Sequence, residues 1–457
     1  MKRKAYYCCA KCGYKTPKWM GQCPSCREWN TLEEHEETLK RGLYTKPALS
    51  DNSPPKRLVD IRSSQQQRFS SGISELDRVL GGGIVRDSVV SLSASPGMGK
   101  STLLGQVSNH VAQSGMRVLY ISGEESEEQV KARSERTLGD KISGNIWIKS
   151  ETSMDLIKEY IQELGPQLII IDSIQTLYLN ECLPSRAGGV AQITACTDEL
   201  VAIAKNQKRA VFMTVHVTKD EEMSGPKTLE HMVDTVLFLD GDRQTSLRML
   251  YSQKNRFGST EEVGIFKMEE DGLVPIENPS DFFVTKRKEP VVGSVITVSM
   301  EGTRPIVVEV ESLVSSSYYS NPMVVSTGVN KELLKMLSAI LEQRCGIRTN
   351  DKNIYVQVTG GLKITEPAAN LGIIMSMASS FKNKPVDNQA VFIGEVGLTG
   401  EVKPVAQIER RLKEIDRMGF RKAYVGKGNL KPNTAFQNLE VIEVLTVRET
   451  IDKCFKN

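Results

Sequence analysis

The sequence predicts an α/β protein with a parallel sheet, a small cysteine-rich module before it and a second, α+β domain after it. Three observations favour this class. Apolar segments alternate with amphipathic ones from about residue 61, a glycine-rich segment ending in Gly-Lys-Ser-Thr follows one of them, and five of the nine cysteines fall within residues 8–26. Alternation of strands and helices at this spacing is typical of a doubly wound parallel sheet.

The composition is that of an ordinary globular chain. Of its 457 residues, 39% are hydrophobic and 25% are charged, which excludes a wholly disordered or collagen-like protein. The 59 basic and 56 acidic residues give a net charge of +3, which neither indicates nor excludes a nucleic-acid partner. There is no apolar run of about 18 residues and no apolar segment after the basic N-terminus. We therefore expect no transmembrane helix, no signal peptide, no membrane partner and, from the odd and clustered cysteines, a cytoplasmic location.

Changes in composition place the domain boundaries. Residues 1–30 are predicted to be a four-cysteine zinc ribbon, residues 31–60 an acidic and proline-rich linker, residues 61–280 the parallel-sheet domain and residues 285–457 the second domain. The strands expected in the sheet are Ser88–Ala94, Val118–Ser122, Leu168–Asp172, Ala210–Thr214 and Thr235–Leu239. An amphipathic helix is expected over Thr197–Gln207.

Four cysteines have the spacing of a metal site. Cys9 and Cys12 form one Cys-x-x-Cys pair, and Cys23 and Cys26 form a second. Two such pairs place four thiolates around one Zn²⁺, which supplies folding energy that so short a segment cannot obtain from a core. Four thiolates leave no open position for catalysis, so we expect a structural zinc. The alternative is a redox-active pair, and Cys8 is left over as a competitor of Cys9 or as a free thiol.

A phosphate-binding loop joins the first predicted strand to a helix. Its residues are Ala94-Ser95-Pro96-Gly97-Met98-Gly99-Lys100-Ser101-Thr102. In such a loop the backbone amides from Gly97 to Ser101 wrap the β-phosphate at a helix N-terminus. Lys100 is expected to reach the β- and γ-phosphates of ATP, and Ser101 to ligate Mg²⁺. Ala94 stands where the motif usually has a glycine, which is tolerated if its φ is negative.

Polar residues at the ends of three further strands complete the predicted site. Asp172 ends an apolar strand and is expected to hold Mg²⁺ through water. Glu124 and Glu125 follow another strand, where one carboxylate orients the attacking water and the other caps the next helix. The sequence does not decide which glutamate does which. His216 ends a third strand, where a γ-phosphate sensor is expected, although a lone histidine is as often structural.

Several motifs resemble known families. The segment from Ser71 to Gly83, just before the phosphate-binding loop, resembles the entry of RecA-type ATPases. Four further segments resemble the signature of the bacterial RadA (Sms) family of DNA-repair proteins. They are Lys254-Asn255-Arg256-Phe257-Gly258, His216-Val217-Thr218-Lys219, Pro17-Lys18-Trp19 and the second cysteine pair with Trp29-Asn30-Thr31. The resemblance covers essentially the whole chain in the same order. Ala94 and Val215 depart from the family pattern.

This resemblance implies a RecA-like P-loop ATPase core. It implies a hexameric, ATP-driven motor that processes recombination intermediates on single-stranded and branched DNA and promotes branch migration of RecA-mediated strand exchange. Because nucleotide lies between subunits in such rings, Lys254 and Arg256 are expected to act catalytically on the neighbour's γ-phosphate. The alternative for this motif is a positively charged turn.

The last domain resembles the proteolytic domain of Lon. The matching stretch runs from Gly394 to Val405. Lon-type proteolysis needs a serine–lysine dyad, and Ala368 stands at the expected position of the serine and Glu409 at that of the lysine. Since a methyl group cannot attack a carbonyl, we predict no protease activity. The domain is then a scaffold for the ring, a DNA-contacting surface, or both.

Two loops that follow sheet strands are candidates for DNA contact. One is Leu183–Gln192 with Arg186, and the other runs from Lys219 to Lys227. Glycine-rich loops facing the channel of a ring can track a phosphate backbone with a few basic groups and amides. The alternative is two ordinary loops with solvated lysines. Salt-sensitive binding without sequence preference is expected.

Together with this resemblance, the sequence predicts a DNA-dependent ATPase of recombinational repair that uses ATP, Mg²⁺ and Zn²⁺. The resemblance further implies that it acts as a homo-hexamer alongside RecA. A protease of another class is a second hypothesis, against which Ala368 argues. A third is a RecA-type switch ATPase that acts on proteins. The zinc ribbon and the Lys254–Gly258 motif argue against it, and a lack of stimulation by DNA would favour it.

Overall fold

The computed structural model describes most of the chain. The described residues are 4–9, 15–16, 18–22, 24, 26–29, 32–37, 57–60, 67–182, 185–216, 227–241, 246–317, 322–430, 436 and 438–455. The side chains of residues 4–9, 15, 32–37, 58, 227 and 228 are outside this description. The chain divides into two units, residues 1–57 and residues 58–457.

The N-terminal unit contains a three-stranded antiparallel sheet. Its strands are β1 (Lys4–Cys9), β2 (Lys15–Thr16) and β3 (Leu32–Glu37), in the order β2-β1-β3. The pairing of β1 with β3 extends from Lys4 opposite Glu37 to Cys9 opposite Leu32. The predicted linker boundary at residue 31 is therefore wrong, because the acidic segment that follows it is a strand of this sheet. Pairing with β1 satisfies its backbone groups in spite of its charged side chains.

A nine-stranded sheet dominates the first part of the second unit. Its elements and those around it are β4 (Arg68–Phe69), α1 (Ser74–Leu80), β5 (Ile84–Val85), β6 (Val89–Ala94), α2 (Lys100–Gln113), β7 (Val118–Ser122), α3 (Glu127–Leu138), β8 (Ile146–Ser150), α4 (Met154–Leu164), β9 (Leu168–Asp172), α5 (Val190–Gln207), β10 (Ala210–His216), α6 (Lys227–Met232), β11 (Thr235–Gly241), β12 (Leu247–Asn255), β13 (Val263–Glu269) and β14 (Gly272–Pro275). The strand order is β14-β13-β12-β11-β6-β10-β9-β7-β8, and β4 pairs with β5 separately. The strands from β11 to β8 are parallel, and β12, β13 and β14 extend the sheet in antiparallel pairs.

The parallel strands confirm the predicted fold class. Val118–Ser122 and Leu168–Asp172 have the predicted bounds, and the other three predicted strands differ by one or two residues. The apolar residues of β9 are fully buried, because helices cover both faces of the sheet. This explains why the strand reads as a continuous apolar run rather than as an alternating one.

Helix α5 begins earlier than the sequence predicts. It starts at Val190, seven residues before the predicted start at Thr197. Its first turn holds Gln192, which is fully buried and whose carboxamide bonds the backbone N–H and C=O of Leu179 at 2.8 and 3.2 Å. The predicted loop Leu183–Gln192 is therefore too long at its C-terminal end. From the sequence alone a polar residue such as Gln192 is expected to be exposed, because its backbone partners at Leu179 are not recognisable there.

A mixed seven-stranded sheet forms the rest of the second unit. Its elements are α7 (Pro279–Phe283), β15 (Ser294–Glu301), β16 (Arg304–Ser316), β17 (Val324–Thr327), α8 (Lys331–Cys345), β18 (Lys352–Val358), α9 (Asn370–Lys382), β19 (Ala390–Ile393), β20 (Glu395–Val396), β21 (Val402–Lys403), α10 (Ile408–Arg417), β22 (Lys422–Gly426), β23 (Glu440–Val444) and α11 (Val447–Phe455). The strand order is β17-β18-β16-β15-β19-β22-β23, with β20 and β21 forming a separate hairpin. This sheet and its helices give the expected α+β domain.

The two sheets of the second unit are joined by a buried ion pair. Arg304, the first residue of β16, donates to the carboxylate of Glu75 on α1, whose side chain is 1% exposed. The same carboxylate accepts from the backbone N–H of Ile265 at 2.9 Å. Ile265 and Val263 of β13 also belong to the apolar cluster of the C-terminal domain. Strand β13 is thus shared between the two cores.

Within the described part of the chain, no helix combines the length and the apolar character that a membrane crossing requires.

Candidate nucleotide site

The predicted phosphate-binding loop is an open turn between β6 and α2. Ala94 is the last residue of β6 and its φ is not positive, so a methyl group in place of the usual glycine costs no backbone strain. Gly97 and Gly99 have φ of +83° and +104°, a region that other residues rarely adopt. A Cβ at Gly97 would meet no atom within 4 Å. The loop therefore borders open space, and α2 presents its N-terminus there from Lys100 onwards.

The Lys100 ammonium is held over this loop by two backbone oxygens. Its Nζ donates to the carbonyl of Ala94 at 3.1 Å and to that of Val215 at 3.4 Å. Burial lowers the pKa of Lys100, while the charges of Asp172 and Glu124 act in the opposite direction. Both hydrogen bonds are to neutral oxygens, so the charge is left to attract an anion in the open space.

The Asp172 carboxylate at the end of β9 is fixed by two hydroxyl groups. Thr214 on β10 donates to Oδ1 at 2.7 Å, and Tyr120 on β7 donates to Oδ2 at 2.7 Å. The parallel register brings these strand ends together, since Ser122 lies opposite Asp172. Sequence reasoning missed Tyr120, because nothing in the sequence distinguishes this tyrosine from the apolar residues of its strand.

Glu124 and His216 are in direct contact. The Nε2 atom of His216 lies 2.9 Å from Oε1 of Glu124, and the Ser173 hydroxyl donates to the same oxygen at 2.9 Å. The side chains of Glu124 and His216 are 49% and 41% exposed, so both also face solvent. Residues predicted separately from two strand ends thus form one cluster beside Lys100.

Glu125 is engaged elsewhere. Its carboxylate forms an ion pair with Arg133 of α3, and its backbone N–H donates to the Ser122 hydroxyl at 3.0 Å. Neither glutamate caps the next helix, because the N-cap of α3 is Ser126, in a capping box with Gln129. The predicted division of roles between Glu124 and Glu125 is wrong in this respect. The serine one residue later, followed by glutamine at the third helical position, is the sequence signal for the cap.

The donor set fits a nucleotide with Mg²⁺. Carboxylate and hydroxyl oxygens are the ligands that Mg²⁺ prefers, and Asp172 and the half-buried Ser101 supply them from β9 and the first turn of α2. The open turn at Gly97 and the Lys100 ammonium suit the phosphates. Of the remaining loop residues, Ser95 and Pro96 are exposed, Thr102 is half-buried and Met98 is buried.

The Lys254–Gly258 motif lies at the opposite edge of the sheet. Asn255 at the end of β12 pairs with Thr235 at the start of β11, and Thr235 in turn pairs with Val90 near the start of β6. The phosphate-binding loop follows the other end of β6. Lys254 and Arg256 therefore do not join the nucleotide site of their own chain.

The two cations of this motif are held differently. The Lys254 Nζ donates to the backbone carbonyls of Glu230, Val233 and His231 at 2.7, 2.8 and 3.3 Å. Burial, and then the charge of Arg256, lower the pKa of Lys254. The side chain of Arg256 is 53% exposed, and its contacts to Asp234 and to the carbonyl of His231 are both 3.4 Å long. Arg256 is thus the more accessible of the two.

The predicted DNA-contacting residues are only partly described. Arg186 is exposed in the segment before α5. Lys219 lies outside the described residues, and Lys227 is described only as the first backbone position of α6. The DNA-contact assignments stay predictions.

The C-terminal domain has a buried cation next to the predicted nucleophile position. Ala368 is 3% exposed in a short turn that leads into α9. The Arg411 guanidinium, fully buried on α10, forms an ion pair with Glu366 and donates to the carbonyl of Val298 at 2.9 Å. Glu409, which stands where the motif has its lysine, is half-buried on the same helix. Since residues three and four apart share a helix face, Arg411 rather than Glu409 lies on the buried face of α10.

Half of the predicted zinc ligands are outside the described residues. Cys12 and Cys23 are not described, and only the backbone of Cys9 is. Cys26 is half-buried. In the described ranges, no three His, Cys, Asp or Glu side chains come together as a metal site. The assignment of these four cysteines to one zinc ion stays a prediction.

A phosphate-binding loop and strand-end carboxylates on a mostly parallel sheet define this chain as a P-loop ATPase of the RecA-like type. Residues 54–222 match the family model of an AAA domain, residues 7–34 that of a rubredoxin metal binding domain, and residues 321–457 that of the Lon protease (S16) C-terminal proteolytic domain. This chain belongs to the RadA family of DNA repair proteins, as its similarity to the following relatives shows.

Full-length relatives carry the family assignment. The chain is 44% identical to the DNA repair protein RadA of Bacillus subtilis over 455 residues, which cover 98% of both chains. It is 44% identical to RadA of Halalkalibacterium halodurans and 42% identical to RadA of Listeria monocytogenes, in each case over 99% of this chain and 98% of the relative. A KaiC-like protein of Pyrococcus horikoshii is 19% identical over 46% of this chain, with a TM-score of 0.38, a likeness too distant to carry an argument.

Proposed function

We propose that this ATPase is DNA-dependent and that it drives the processing of recombination intermediates, including branch migration of RecA-mediated strand exchange. The observation that carries the proposal is the 2.9 Å contact between Glu124 and His216. It links a carboxylate beside the phosphate-binding loop to the strand end that leads directly into residues 217–226. A change at one end of this contact alters the position of the other, which would couple hydrolysis to DNA.

The binding residues act before any chemistry. The loop amides and the Lys100 ammonium bind the phosphates, while Ser101 and Asp172 hold Mg²⁺, Asp172 through water. ATP with Mg²⁺ supplies the phosphoanhydride bond that water cleaves. Thr214 and Tyr120 keep the Asp172 carboxylate in one orientation.

Glu124 is the better candidate for the general base. The Glu125 carboxylate is engaged in an ion pair with Arg133 of α3. Glu124 instead lies near Lys100 and is half-exposed, so it can reach a water molecule in front of the loop. His216, hydrogen-bonded to Glu124, is placed to respond to the γ-phosphate.

The assembly proposed is a homo-hexameric ring. Lys254 and Arg256 lie at the end of the sheet remote from their own phosphate-binding loop, which supports a role at the nucleotide site of a neighbouring subunit. Arg256 is exposed enough to stabilise charge on that neighbour's γ-phosphate. Arg186, Lys219 and Lys227 are the residues proposed to contact single-stranded DNA in the channel.

The C-terminal domain is proposed to lack peptidase activity. Ala368 offers no nucleophile, and a guanidinium in an ion pair with Glu366 cannot act as a base, since arginine does not lose its proton in proteins. Its shared core with β13 supports a role as scaffold of the motor.

The N-terminal ribbon is proposed to bind one Zn²⁺ through Cys9, Cys12, Cys23 and Cys26. The match to a metal binding domain over residues 7–34 supports this ligand set. Thiolates require a reducing compartment to stay free for metal, in keeping with the cytoplasm as the proposed location. Metal analysis of the purified chain should give one zinc per chain, and Cys23→Ser should reduce it.

The experiment that tests the function is steady-state ATP hydrolysis with and without single-stranded DNA, on the wild type and Lys100→Ala. DNA should stimulate the wild type, and Lys100→Ala should lose about a hundredfold or more of its activity in both conditions, because the ammonium that balances the phosphate charge is gone. Lys131→Ala, at an exposed ion pair on α3, is the control and should keep full activity.

The outcomes separate two kinds of ATPase. Hydrolysis that requires Lys100 but ignores DNA would refute the DNA motor and support a switch ATPase acting on proteins. Hydrolysis that survives Lys100→Ala would refute the assignment of the site itself.

A further inference from the structure

We infer that Tyr120 and Arg133 are positioning residues that align the Asp172 carboxylate for the magnesium nucleotide. The inference rests on the role of Asp172 proposed above. Nothing in the sequence motifs points to either residue, since Tyr120 is an internal strand position and Arg133 lies in the middle of α3.

The strand register explains why Tyr120 reaches Asp172. On the parallel pair β7 and β9, Ser122 lies opposite Asp172 and Tyr120 lies two residues earlier. Residues two apart on a strand point to the same face, so the Tyr120 ring runs along the sheet toward the carboxylate. Its hydroxyl ends 2.7 Å from Oδ2.

The direction of each hydrogen bond is fixed by chemistry. The Arg133 guanidinium can only donate, and it contacts the Tyr120 hydroxyl oxygen at 3.2 Å. The oxygen of Tyr120 is thus occupied as an acceptor, and its proton is directed to Asp172.

Arg133 is itself held in place. Its side chain is 14% exposed, and it forms an ion pair with Glu125, which directly precedes the N-cap of α3. A continuous chain of hydrogen bonds, here called the relay, therefore runs from the segment before α3 to the end of β9. Its members are Glu125, Arg133, Tyr120 and Asp172. This gives Glu125 a role that does not require it to touch the nucleotide.

The relay acts together with Thr214. The two donors approach different oxygens of Asp172 and so fix the plane of the carboxylate, with lone pairs left for the water shell of Mg²⁺. Without the Tyr120 hydroxyl the carboxylate is held at one oxygen only and can rotate. Outer partners of this kind typically change metal affinity by about 10–100-fold.

Tyr120→Phe tests the inference, because it keeps the ring and removes only the hydroxyl. Binding of a fluorescent ATP analogue is measured without Mg²⁺ and over a Mg²⁺ titration. We expect the Mg²⁺ concentration at half-saturation to rise about tenfold, with unchanged nucleotide affinity in the absence of Mg²⁺. Tyr160→Phe, a half-buried tyrosine on α4, is the matched control and should behave like the wild type.

Arg133→Met is the second variant, and it should raise the Mg²⁺ requirement in the same direction by a smaller factor, with partial recovery in Arg133→Lys. An unchanged Mg²⁺ titration in Tyr120→Phe would overturn the inference. So would a parallel loss of Mg²⁺-free nucleotide affinity, which would show that the tyrosine supports the whole site rather than the Asp172 carboxylate. If the wild type itself bound the nucleotide without any effect of Mg²⁺, the proposed role of Asp172 would fail rather than the relay alone.

Discussion

The start of α2 and the turn before α9 each have a cation, the half-buried Lys100 and the buried Arg411. Comparison of the two shows what leaves such a cation able to bind an anion. Lys100, the first residue of α2, is hydrogen-bonded to two neutral carbonyl oxygens. Arg411, beside the turn at Ala368, is bonded to the carboxylate of Glu366 and to the carbonyls of Val298 and Ala406. The first arrangement leaves charge for an incoming anion, whereas the second neutralises it inside the protein.

With the proposed lack of peptidase activity, the difference teaches that a fold can have the shape of a site without its chemistry. In the Lon-like domain, the Arg411 cation holds buried parts of the protein together, whereas the Lys100 cation is left to bind an anion. A buried ion pair is costly to break even if it adds little net stability. The following predictions test this contrast, from the largest expected effect to the smallest.

Arg411→Met should be the most damaging change. It leaves the Glu366 carboxylate without its partner, and loss of one member of a buried pair typically costs about 3–5 kcal/mol of unfolding free energy. Chemical denaturation followed by circular dichroism measures this loss. The double variant Arg411→Met, Glu366→Gln removes both charges and should recover a substantial part of it. Equal stability of the single and double variants would show that the pair is not the cause.

Glu124→Gln should lower ATP turnover by about 10²–10³-fold at saturating nucleotide while leaving nucleotide binding intact, because the general base is lost and the amide keeps the shape. Glu125→Gln breaks only the ion pair with Arg133 and should lower turnover by about tenfold or less. Comparison of kcat for the two variants decides the assignment. A larger effect at residue 125 would reverse it.

Glu301→Gln should stabilise the protein in a pH-dependent way. Burial, and then the charge of Glu366, raise the pKa of Glu301 to about 7 from its ordinary value of 4.5. The folded state thus prefers the protonated form, so the wild type loses stability as the pH rises from about 4.5 to about 7 and does not regain it above. The glutamine variant has no such loss, and its advantage in unfolding free energy should be about 1–3 kcal/mol at pH 8.

At pH 4.5 the difference between Glu301→Gln and the wild type should nearly vanish, since Glu301 is protonated there in the folded and partly in the unfolded chain. Thermal unfolding at both pH values measures the gap. Glu332→Gln, on the exposed surface of α8, is the control and should show little change at either pH. A gap that is as large at pH 4.5 as at pH 8 would exclude titration of Glu301 as the cause.

Ala368→Ser should have the smallest effect. It restores a hydroxyl, but the neighbouring cation is Arg411, which cannot remove the hydroxyl proton. Casein incubated with this variant should therefore remain intact, as with the wild type. Cleavage of casein would show that the domain has kept a base that the present assignment overlooks.

Sequence determined the parts of this protein that depend on near neighbours in the chain. The phosphate-binding loop needs glycines with positive φ at Gly97 and Gly99 and a helix directly after them, and all three are local features. The apolar run of β9 likewise defines a buried parallel strand and places Asp172 at its end. Full-length identity then supplied the family.

Only the tertiary structure decided which side chains meet. Glu124 and Glu125 are adjacent in sequence, yet one contacts His216 and the other Arg133. On α10, Arg411 rather than Glu409 lies on the face that packs inward. In the N-terminal unit, residues that the sequence predicts as linker pair with β1 as a strand. The physical reason is common to all of these cases. A partner far away along the chain is chosen by strand register, helix phase and burial, and none of these is encoded in the few residues that surround a motif.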